Sequence, residues 1–282
     1  MPPNWNQPGD WARYWRSPDL PIEAMHAHFE RHVYHRHSHE TYSLGVTDFG
    51  AQSFSCRGSA HTSGAGMVMA FNPDDPHDGW AGDERGFTYR MVHIGPALLA
   101  SILGDITGRP AGLPLFADPV VTDPVLAGNL RALHAVLLSG APALRRDELL
   151  AAAVGCAVQR ASARARLPGP GDAPATGTAA IASSARQLIR ERYADDITAS
   201  DLAAAVGCSR FTVHRAFVSR YGLAPGDYQR QLRLRAARRL IARGIPISQA
   251  AAQSGFADQS HLTRWFSRYY GITPACYGKA GK

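Results

Sequence analysis

Residues 255–274 read GFADQSHLTRWFSRYYGITP, the pattern of a turn, a short helix and a helix stop. Gly255 ends the preceding helix, and Asp258 can cap the next one by accepting a hydrogen bond from an N–H of its first turn. The large apolar residues that follow have helical spacing and should share one buried face: Leu262, Trp265 and Phe266. The other faces carry amide, hydroxyl and guanidinium groups and, after the cap, no carboxylate. Such a helix suits the major groove of double-stranded DNA.

A second segment, Asp201 to Pro225, repeats this pattern about 50 residues upstream and reads DLAAAVGCSRFTVHRAFVSRYGLAP. It contains a short helix, a Gly turn, a second helix and a Gly stop, with Ser209 as the expected cap. Val213, Ala216 and Phe217 have the spacing of a buried face. The chain is therefore expected to hold two helix-turn-helix units.

The outward side chains of the second helix in each unit are the candidate DNA contacts. Base contacts are assigned to Arg210, Thr212, His214 and Arg215 in the first helix and to Gln259, Ser260, Thr263 and Arg264 in the second. Arg can pair with guanine O6 and N7, and Gln can pair with adenine. Arg268, one turn beyond Arg264, adds a positive charge to the outer faces of the same helix.

Two helix-turn-helix units in one small domain resemble the C-terminal domain of the AraC/XylS transcription regulators. The resemblance covers roughly residues 180–277 and consists of many matched positions in fixed order. The matched positions are Phe217, Gly222, Pro225, Tyr228, Arg233, Leu234, Ala237, Ile247, Ala251, Gly255, Phe256, Ser260, His261, Arg264, Phe266, Gly271, Pro274, Ala275 and Tyr277. The resemblance implies a sequence-specific regulator, favours activation, and makes promoter DNA and RNA polymerase the expected partners. It also places His261 near the DNA backbone, as a phosphate contact.

The charge distribution agrees with a DNA partner. The chain has 30 Lys and Arg against 23 Asp and Glu, a net charge of +7. Residues 177–282 hold 16 of these cations and 6 of these anions, so the positive excess is concentrated there. A polyphosphate partner selects such a concentration through Coulomb attraction and counterion release. The alternative is that the arginine-rich helix faces are only solvated.

The sequence composition indicates the cellular compartment of the protein. No apolar run is long enough to span a membrane, and residues 1–9 lack the basic and apolar regions of a secretory signal. The four cysteines are far apart in the sequence and show no metal-ligand or redox spacing, which indicates reduced thiols. We expect a cytoplasmic protein with no membrane partner.

The N-terminal half has the pattern of a β-domain followed by two helices. Short strands are expected at 41–46, 51–56, 66–71 and 87–94, which is typical of a sandwich or barrel. Asp123 and Pro124 then begin a helix with an apolar stripe, and a second helix is expected at 142–166. The stripe consists of Leu126, Leu130, Leu133 and Leu137. This hairpin can cover the barrel and form a homodimer contact, unless both apolar stripes are used up within the chain.

Eight of the 12 histidines lie before residue 80. His35, His37 and His39 alternate, so they would share one face of a strand. The H-x-H pair His37 and His39, with His77 after a strand that begins near Gly66, resembles the cupin barrel and its metal ligands. Cupin enzymes carry a glutamate four or five residues after the pair, where this chain has Ser43 and Leu44, and Glu40 would point to the opposite face.

Three interpretations of these histidines stay open. They could bind zinc or iron, line a pocket for a polar ligand, or pair with backbone carbonyls. We predict that His37, His39 and His77 bind a small-molecule effector, with no metal and no cofactor.

The predicted fold is multidomain α+β, with a cupin-like barrel and helical hairpin followed by an all-α double helix-turn-helix domain. The predicted boundaries are an arm at 1–19, a sensor barrel at 20–118, a hairpin at 119–166, a linker at 167–178 and a DNA-binding domain at 179–282. The predicted function is an effector-responsive transcription regulator and not an enzyme. One alternative is a metal-dependent cupin enzyme with an accessory DNA-binding domain, which the missing glutamate disfavours. Another is a ligand-independent DNA-binding protein with a vestigial barrel.

Overall fold

The computed structural model describes residues 9–139, 141–163 and 177–280. Most of the predicted linker and the first eight residues of the predicted arm lie outside the described residues. The chain divides at residue 167 into two compact units. We call them the sheet unit, which precedes this point, and the helical unit, which follows it.

The sheet unit is built from antiparallel strands and three helices. The strands are β1 Trp11–Arg16, β2 Ile22–Phe29, β3 Tyr34–His37, β4 Tyr42–Cys56, β5 Ser59–Gly64, β6 Val68–Phe71, β7 His77–Ala81, β8 Phe87–Ile94, β9 Leu115–Phe116, β10 Val120–Val121 and β11 Ser162–Ala163. The helices are α1 Pro96–Thr107, α2 Pro124–Leu138 and α3 Ala143–Ala161. The main strand order is β1-β2-β8-β4-β6-β10; β4 also pairs with β5 and β7, and β7 pairs with β3.

Strand β4 corrects the sequence prediction, because the two short strands expected at 41–46 and 51–56 are one strand of 15 residues. The strand continues through a register shift between Thr47 and Phe49 where it pairs with β8. Gly50 follows with a positive φ of 68°, and a Cβ there would lie 2.0 Å from the Gly86 carbonyl oxygen. One extra residue reverses which face each later side chain occupies.

Two apolar cores result from this reversal. The first half of β4 packs with the helices through Tyr42, Leu44 and Val46. The second half contributes Phe54 and Cys56 to a separate cluster between the strands. The same strand thus serves both the helix-covered face and the interior of the sheet unit.

The helices of the sheet unit agree with the prediction only in part. Helix α1 was not predicted, although Pro96 at its first turn is a helix-start signal. Helix α3 ends at Ala161, earlier than the expected residue 166, because Ser162 and Ala163 turn into a strand pair with β9. The predicted stripe of α2 is entirely buried in the sheet unit: Leu126, Leu130, Leu133 and Leu137. These leucines therefore pack within the chain and are not available for a contact between subunits.

The helical unit contains seven helices in its described part. They are α4 Thr178–Glu191, α5 Ala199–Val206, α6 Arg210–Tyr221, α7 Pro225–Ala242, α8 Ile247–Gln253, α9 Gln259–Tyr270 and α10 Pro274–Lys279. Helices α5 and α6 form the first helix-turn-helix unit, α8 and α9 form the second, and α7 connects them. The predicted buried residues Val213, Ala216 and Phe217 are confirmed.

The predicted core of α9 is right for Leu262 and Phe266 and wrong for Trp265. The buried residues of the helix are Leu262, Phe266 and Tyr269, whereas Trp265 is half-buried. Its indole lies beneath the Arg230 guanidinium, 3.8 Å from the ring centre, so it packs against a cation at the surface. Helical spacing alone could not show which of Trp265, Phe266 and Tyr269 are buried.

Among the described residues, no helix combines the length and the apolar character needed to cross a membrane.

Candidate functional site

The two helices predicted to contact DNA begin and end in the same way. The Ser209 hydroxyl accepts a hydrogen bond from the Thr212 N–H at the start of α6, and the Asp258 carboxylate accepts one from the His261 N–H, at 2.7 Å, at the start of α9. Each helix has 12 residues and ends at a left-handed glycine, Gly222 or Gly271. Both predicted caps are confirmed, and they define which residues occupy the first turns.

Helix α6 exposes three of its four predicted base contacts, Arg210, His214 and Arg215. Thr212 is half-buried, and its hydroxyl lies 2.9 Å from that of Ser209, so it takes part in the cap. Phe211 was not among the predicted contacts, yet its side chain is 68% exposed. The Arg215 guanidinium lies 5.0 Å from the centre of its ring. A signal was available, because Phe211 falls outside the predicted buried face of this helix.

Helix α9 exposes Gln259, Ser260, Arg264 and Arg268, while Thr263 and His261 are half-buried. The His261 Nε2 accepts a hydrogen bond of 3.0 Å from the Trp265 indole N–H. This bond uses the Nε2 and leaves the Nδ1 as the ring nitrogen that can contact a further partner. The roles of all ten predicted DNA contacts stay predictions.

Several arginines of the helical unit stabilise the fold. The Arg233 side chain donates hydrogen bonds to the carbonyls of Tyr193 and Asp195, both at 2.7 Å. The Arg186 guanidinium lies over the rings of Tyr221 and Tyr228. The positive excess of this unit therefore serves packing as well as the exposed helix faces.

Gly255 marks a close approach between the second helix-turn-helix unit and the turn after α4. Its φ is 80°, and a Cβ at this position would lie 2.4 Å from the Ala194 carbonyl oxygen and 2.9 Å from the Arg233 Nε. Only glycine fits both the backbone angle and this space. The turn before α9 is thereby held against the 193–195 segment that Arg233 also binds.

The sheet unit brings His37, His39 and His77 together, and we call these three residues the histidine cluster. One ring nitrogen from each lies within 4.8 Å of the others. The His37 and His39 Nε2 atoms are 3.2 Å apart. In the strand pairing, His37 lies opposite His77, and Cys56 lies opposite His77 on the other side.

Backbone carbonyls orient two of these rings. The His37 Nδ1 lies 2.6 Å from the His35 carbonyl oxygen, and the His77 Nδ1 lies 2.8 Å from the Asp75 carbonyl oxygen. A carbonyl only accepts, so each Nδ1 carries the proton and each Nε2 presents a lone pair in the neutral ring. Both rings are buried, and burial is the main cause that lowers the pKa of His77 to about 4.

His93 on β8 is a fourth imidazole that the sequence analysis missed. Its ring centre lies 4.7 Å from that of His39, and its Nδ1 lies 2.8 Å from the Ser43 hydroxyl. Burial lowers the pKa of His93 to about 4, and the nearby His37 contributes to the same shift. No spacing in the sequence indicates this neighbour, because it depends on the β4–β8 pairing that places Ser43 opposite His93.

The prediction that His35, His37 and His39 share a strand face is wrong. The pairing of β3 with β7 is irregular between Tyr34 and His37, and β3 ends at His37. As a result His35 is exposed and His37 is buried, while His39 reaches the cluster from the segment after the strand.

Comparisons with known proteins agree on the two units. The AraC-like ligand binding domain family matches residues 19–155, and a helix-turn-helix domain family matches residues 202–280. The uncharacterized HTH-type transcriptional regulator YbfI of Bacillus subtilis is 29% identical over 248 residues, which are 87% of this chain and 87% of that protein. The transcriptional activator NphR of Rhodococcus is 40% identical over 96 residues, 33% of this chain and 28% of that protein.

A solved structure has the same fold over nearly the whole chain. Unsaturated fatty acid-bound ToxT of Vibrio cholerae aligns with a TM-score of 0.54 and 12% identity, covering 97% of this chain and 96% of that chain. The two family matches and the near full-length relative show an AraC-like ligand-binding domain before a helix-turn-helix domain, the arrangement of AraC-family transcriptional regulators.

Proposed function

We propose that this transcription regulator is sequence-specific and effector-responsive, reading promoter DNA with α6 and α9 and binding its effector at the histidine cluster. The observation that carries the DNA-binding part is the pair of capped, 12-residue helices that each follow a helix and a turn and expose guanidinium groups. Capping leaves the first turns well ordered, and these are the turns that meet base edges in helix-turn-helix proteins.

The exposed side chains divide into two groups by chemistry. Arg210, Arg215 and Arg264 are proposed to contact guanine, and Gln259 is proposed to contact adenine, because these side chains pair with base edges. Thr212, His214, Ser260 and Thr263 are proposed as additional base contacts. His261 and Arg268 are proposed to contact phosphate. Phe211 adds an exposed apolar surface of the kind that contacts a thymine methyl group.

The effector site is proposed from the interior of the sheet unit. ToxT is described with a bound unsaturated fatty acid, which shows that this fold has room for a small molecule in that protein. In this chain three ring nitrogens converge among apolar strands, which is how a pocket orients a small polar ligand. We favour a regulator over the enzyme alternative because the described residues place no carboxylate in the candidate metal group, and Glu40 is exposed.

We also propose the domain boundaries predicted from the sequence and a homodimer that forms through the helical hairpin. The leucine stripe of α2 cannot form the contact, since it is buried within the chain. The exposed apolar side chains of α2 and α3 are Val125, Leu138 and Leu144, and they are the proposed contact instead. Activation, contact with RNA polymerase and a cytoplasmic location complete the proposal.

Selection of random DNA by the purified full-length chain tests the DNA-binding part. We expect one enriched sequence, and we expect the Arg210→Ala/Arg264→Ala variant to lose that enrichment. Arg243→Ala is the matched control, because Arg243 is exposed but lies at the end of α7 and belongs to neither candidate helix. Equal enrichment by the double variant and the wild type would contradict the assignment of these two helices.

Candidate effectors can then be screened by their effect on binding to the selected DNA. The His37→Ala variant should lose the response to an effector while keeping the DNA affinity of the unliganded protein. An unchanged response at the same effector concentration would contradict the assignment of the histidine cluster.

A further inference from the structure

The histidine cluster has the dimensions of a metal site. Two nitrogens bound to one tetrahedral zinc ion at 2.0–2.1 Å are about 3.4 Å apart. The His37 and His39 Nε2 atoms are already 3.2 Å apart, and a nitrogen of His77 lies within 4.8 Å of both. The first separation matches that of two ligands on one ion, and the second is an upper bound on the distance to the third ligand.

The hydrogen bonds behind the rings fit this use. A histidine that binds a metal through Nε2 almost always donates its Nδ1–H to a carbonyl, a carboxylate or water, which fixes the tautomer and the direction of the ring. His37 and His77 both have Nδ1 within hydrogen-bond distance of a backbone carbonyl two residues earlier, from His35 and Asp75. Two rings from different strands are thus held by the same kind of hydrogen bond that orients histidines bound to metals.

The missing cupin glutamate is the main objection to a metal, and the structure offers a replacement for it. Ser43 occupies a sequence position where cupin enzymes carry that carboxylate, and Ser43 lies opposite His93 in the β4–β8 pairing. The Ser43 hydroxyl lies 2.8 Å from the His93 Nδ1, which leaves the Nε2 as the nitrogen that a ligand can use. The His93 ring adjoins that of His39, with 4.7 Å between the ring centres.

The surroundings favour one class of ion. The Phe71 ring stacks on His77 at 4.2 Å, and Cys56 lies opposite His77 in the strand pairing, so the cluster borders the apolar interior. Imidazole ligands suit zinc, copper, nickel, cobalt and iron, whereas magnesium and calcium require oxygen ligands.

We propose that His37, His39, His77 and His93 bind one divalent transition-metal ion, with His93 in the role of the absent carboxylate and Ser43 orienting His93. This inference rests on the proposed function, because the ion would occupy the pocket assigned to the effector. Four neutral ligands keep the full charge of the ion, so the site differs from a cupin centre that contains a glutamate.

Co²⁺ titration of the full-length protein, stripped with a chelator, tests the proposal through the visible absorption of bound cobalt. We expect one ion per chain, displaced by Zn²⁺. Affinity should fall by roughly 100-fold or more for His77→Ala and for His93→Ala, and by about 10–100-fold for Ser43→Ala, whose serine acts through His93. His35→Ala is the control, because His35 is an exposed histidine on the same strand and contacts His37 through its backbone carbonyl, which the substitution keeps.

Two results would overturn the proposal. One is the absence of a saturable cobalt spectrum in the wild type, and the other is equal affinity in the wild type and His93→Ala. Circular dichroism establishes that each variant is folded. If His77→Ala does not fold, His39→Ala replaces it, because His39 is only half-buried and lies outside the strands.

DNA binding, measured with and without Zn²⁺, separates this inference from the proposed function. Stoichiometric metal without a change in DNA binding supports the site and contradicts its role as the effector pocket. No metal binding, together with a response to an organic effector that His37→Ala abolishes, supports the proposed function and contradicts the inference.

Discussion

The sheet unit and the helical unit use basic side chains in opposite ways. In the sheet unit His26, His37, His77, His93 and His134 are buried, whereas the two histidines of the helical unit are exposed or half-buried. The helical unit uses arginines, which lie at the surface of α6 and α9 or stack on aromatic rings such as that of Trp265. An imidazole can lose its proton and stay buried at modest cost, but a guanidinium keeps its charge and needs water, an acceptor or a ring face. The difference supports the proposal that the sheet unit encloses a ligand and the helical unit faces phosphate.

The largest effect is expected from a core aromatic of the helical unit. Phe266 is fully buried and packs against Tyr270 and Tyr277, so Phe266→Ala should cost about 3–5 kcal/mol of unfolding free energy in that unit. Trp265→Ala should cost only about 1–2 kcal/mol, because the half-buried indole loses mainly its cation contact and one hydrogen bond. Chemical denaturation followed by hydrogen exchange in each unit measures both values. Equal losses for the two variants would show that Trp265 belongs to the core after all.

Acid should destabilise the sheet unit more than the helical unit. Burial, followed by the positive charge of Arg90, lowers the pKa of His26 to about 4 and of His134 to about 3. Asp48 also acts on both rings, Arg13 acts on His26, and His26 acts on His134. Since the unfolded rings have a pKa of about 6.5, the unfolded state binds more protons between that value and the folded pKa. Stability is therefore complete above about pH 6.5 and falls as the pH drops, by about 2 kcal/mol per ring at pH 5.

Thermal unfolding of each unit at pH 7.5 and pH 5.0 measures this loss. The His134→Gln variant is the matched comparison, because an amide can still donate to the Met25 carbonyl that the His134 Nε2 contacts at 3.0 Å. It should lose about 2 kcal/mol less than the wild type over the same interval. The same pH dependence in the variant and the wild type would mean that other groups are responsible.

The two units also differ in how far their sequences could be interpreted. In the helical unit, caps and buried positions depend on residues three or four apart, so Ser209, Asp258 and Phe217 could be placed from local spacing. Trp265 could not, because its environment depends on Arg230 of another helix. In the sheet unit the partners are distant in sequence. His77 could be grouped with His37 only through a family resemblance, and His93 required the β4–β8 register. The bulge in β3 that exposes His35 leaves no signal in the residue types.

A surface change on α9 should affect recognition and leave stability almost unchanged. Arg264 is exposed and proposed to contact guanine, so Arg264→Ala should lose about 1–3 kcal/mol of discrimination at one base pair. Arg268→Ala, which removes a proposed phosphate contact, should weaken binding to all sequences alike. It should also reduce the slope of log affinity against log salt concentration by about 1. Titrations with cognate and scrambled DNA at several salt concentrations separate the two. A uniform loss for Arg264→Ala would reassign that residue to the backbone.

The smallest effect is expected at the helix caps, and it tests whether the two helix-turn-helix units are equivalent. Asp258 and Ser209 each accept a hydrogen bond from the third N–H of a 12-residue helix. Asp258→Ala and Ser209→Ala should each cost about 1 kcal/mol, since an orphan donor at a helix start loses its partner. Asp258→Asn is the matched control, because it keeps an acceptor at the same place and removes the charge. If Asp258→Asn restores stability and also tightens DNA binding, the carboxylate is repelling a nearby phosphate, which would place the start of α9 at the DNA. If Asp258→Asn leaves affinity unchanged while Arg264→Ala lowers it, contact is made one turn further along the helix.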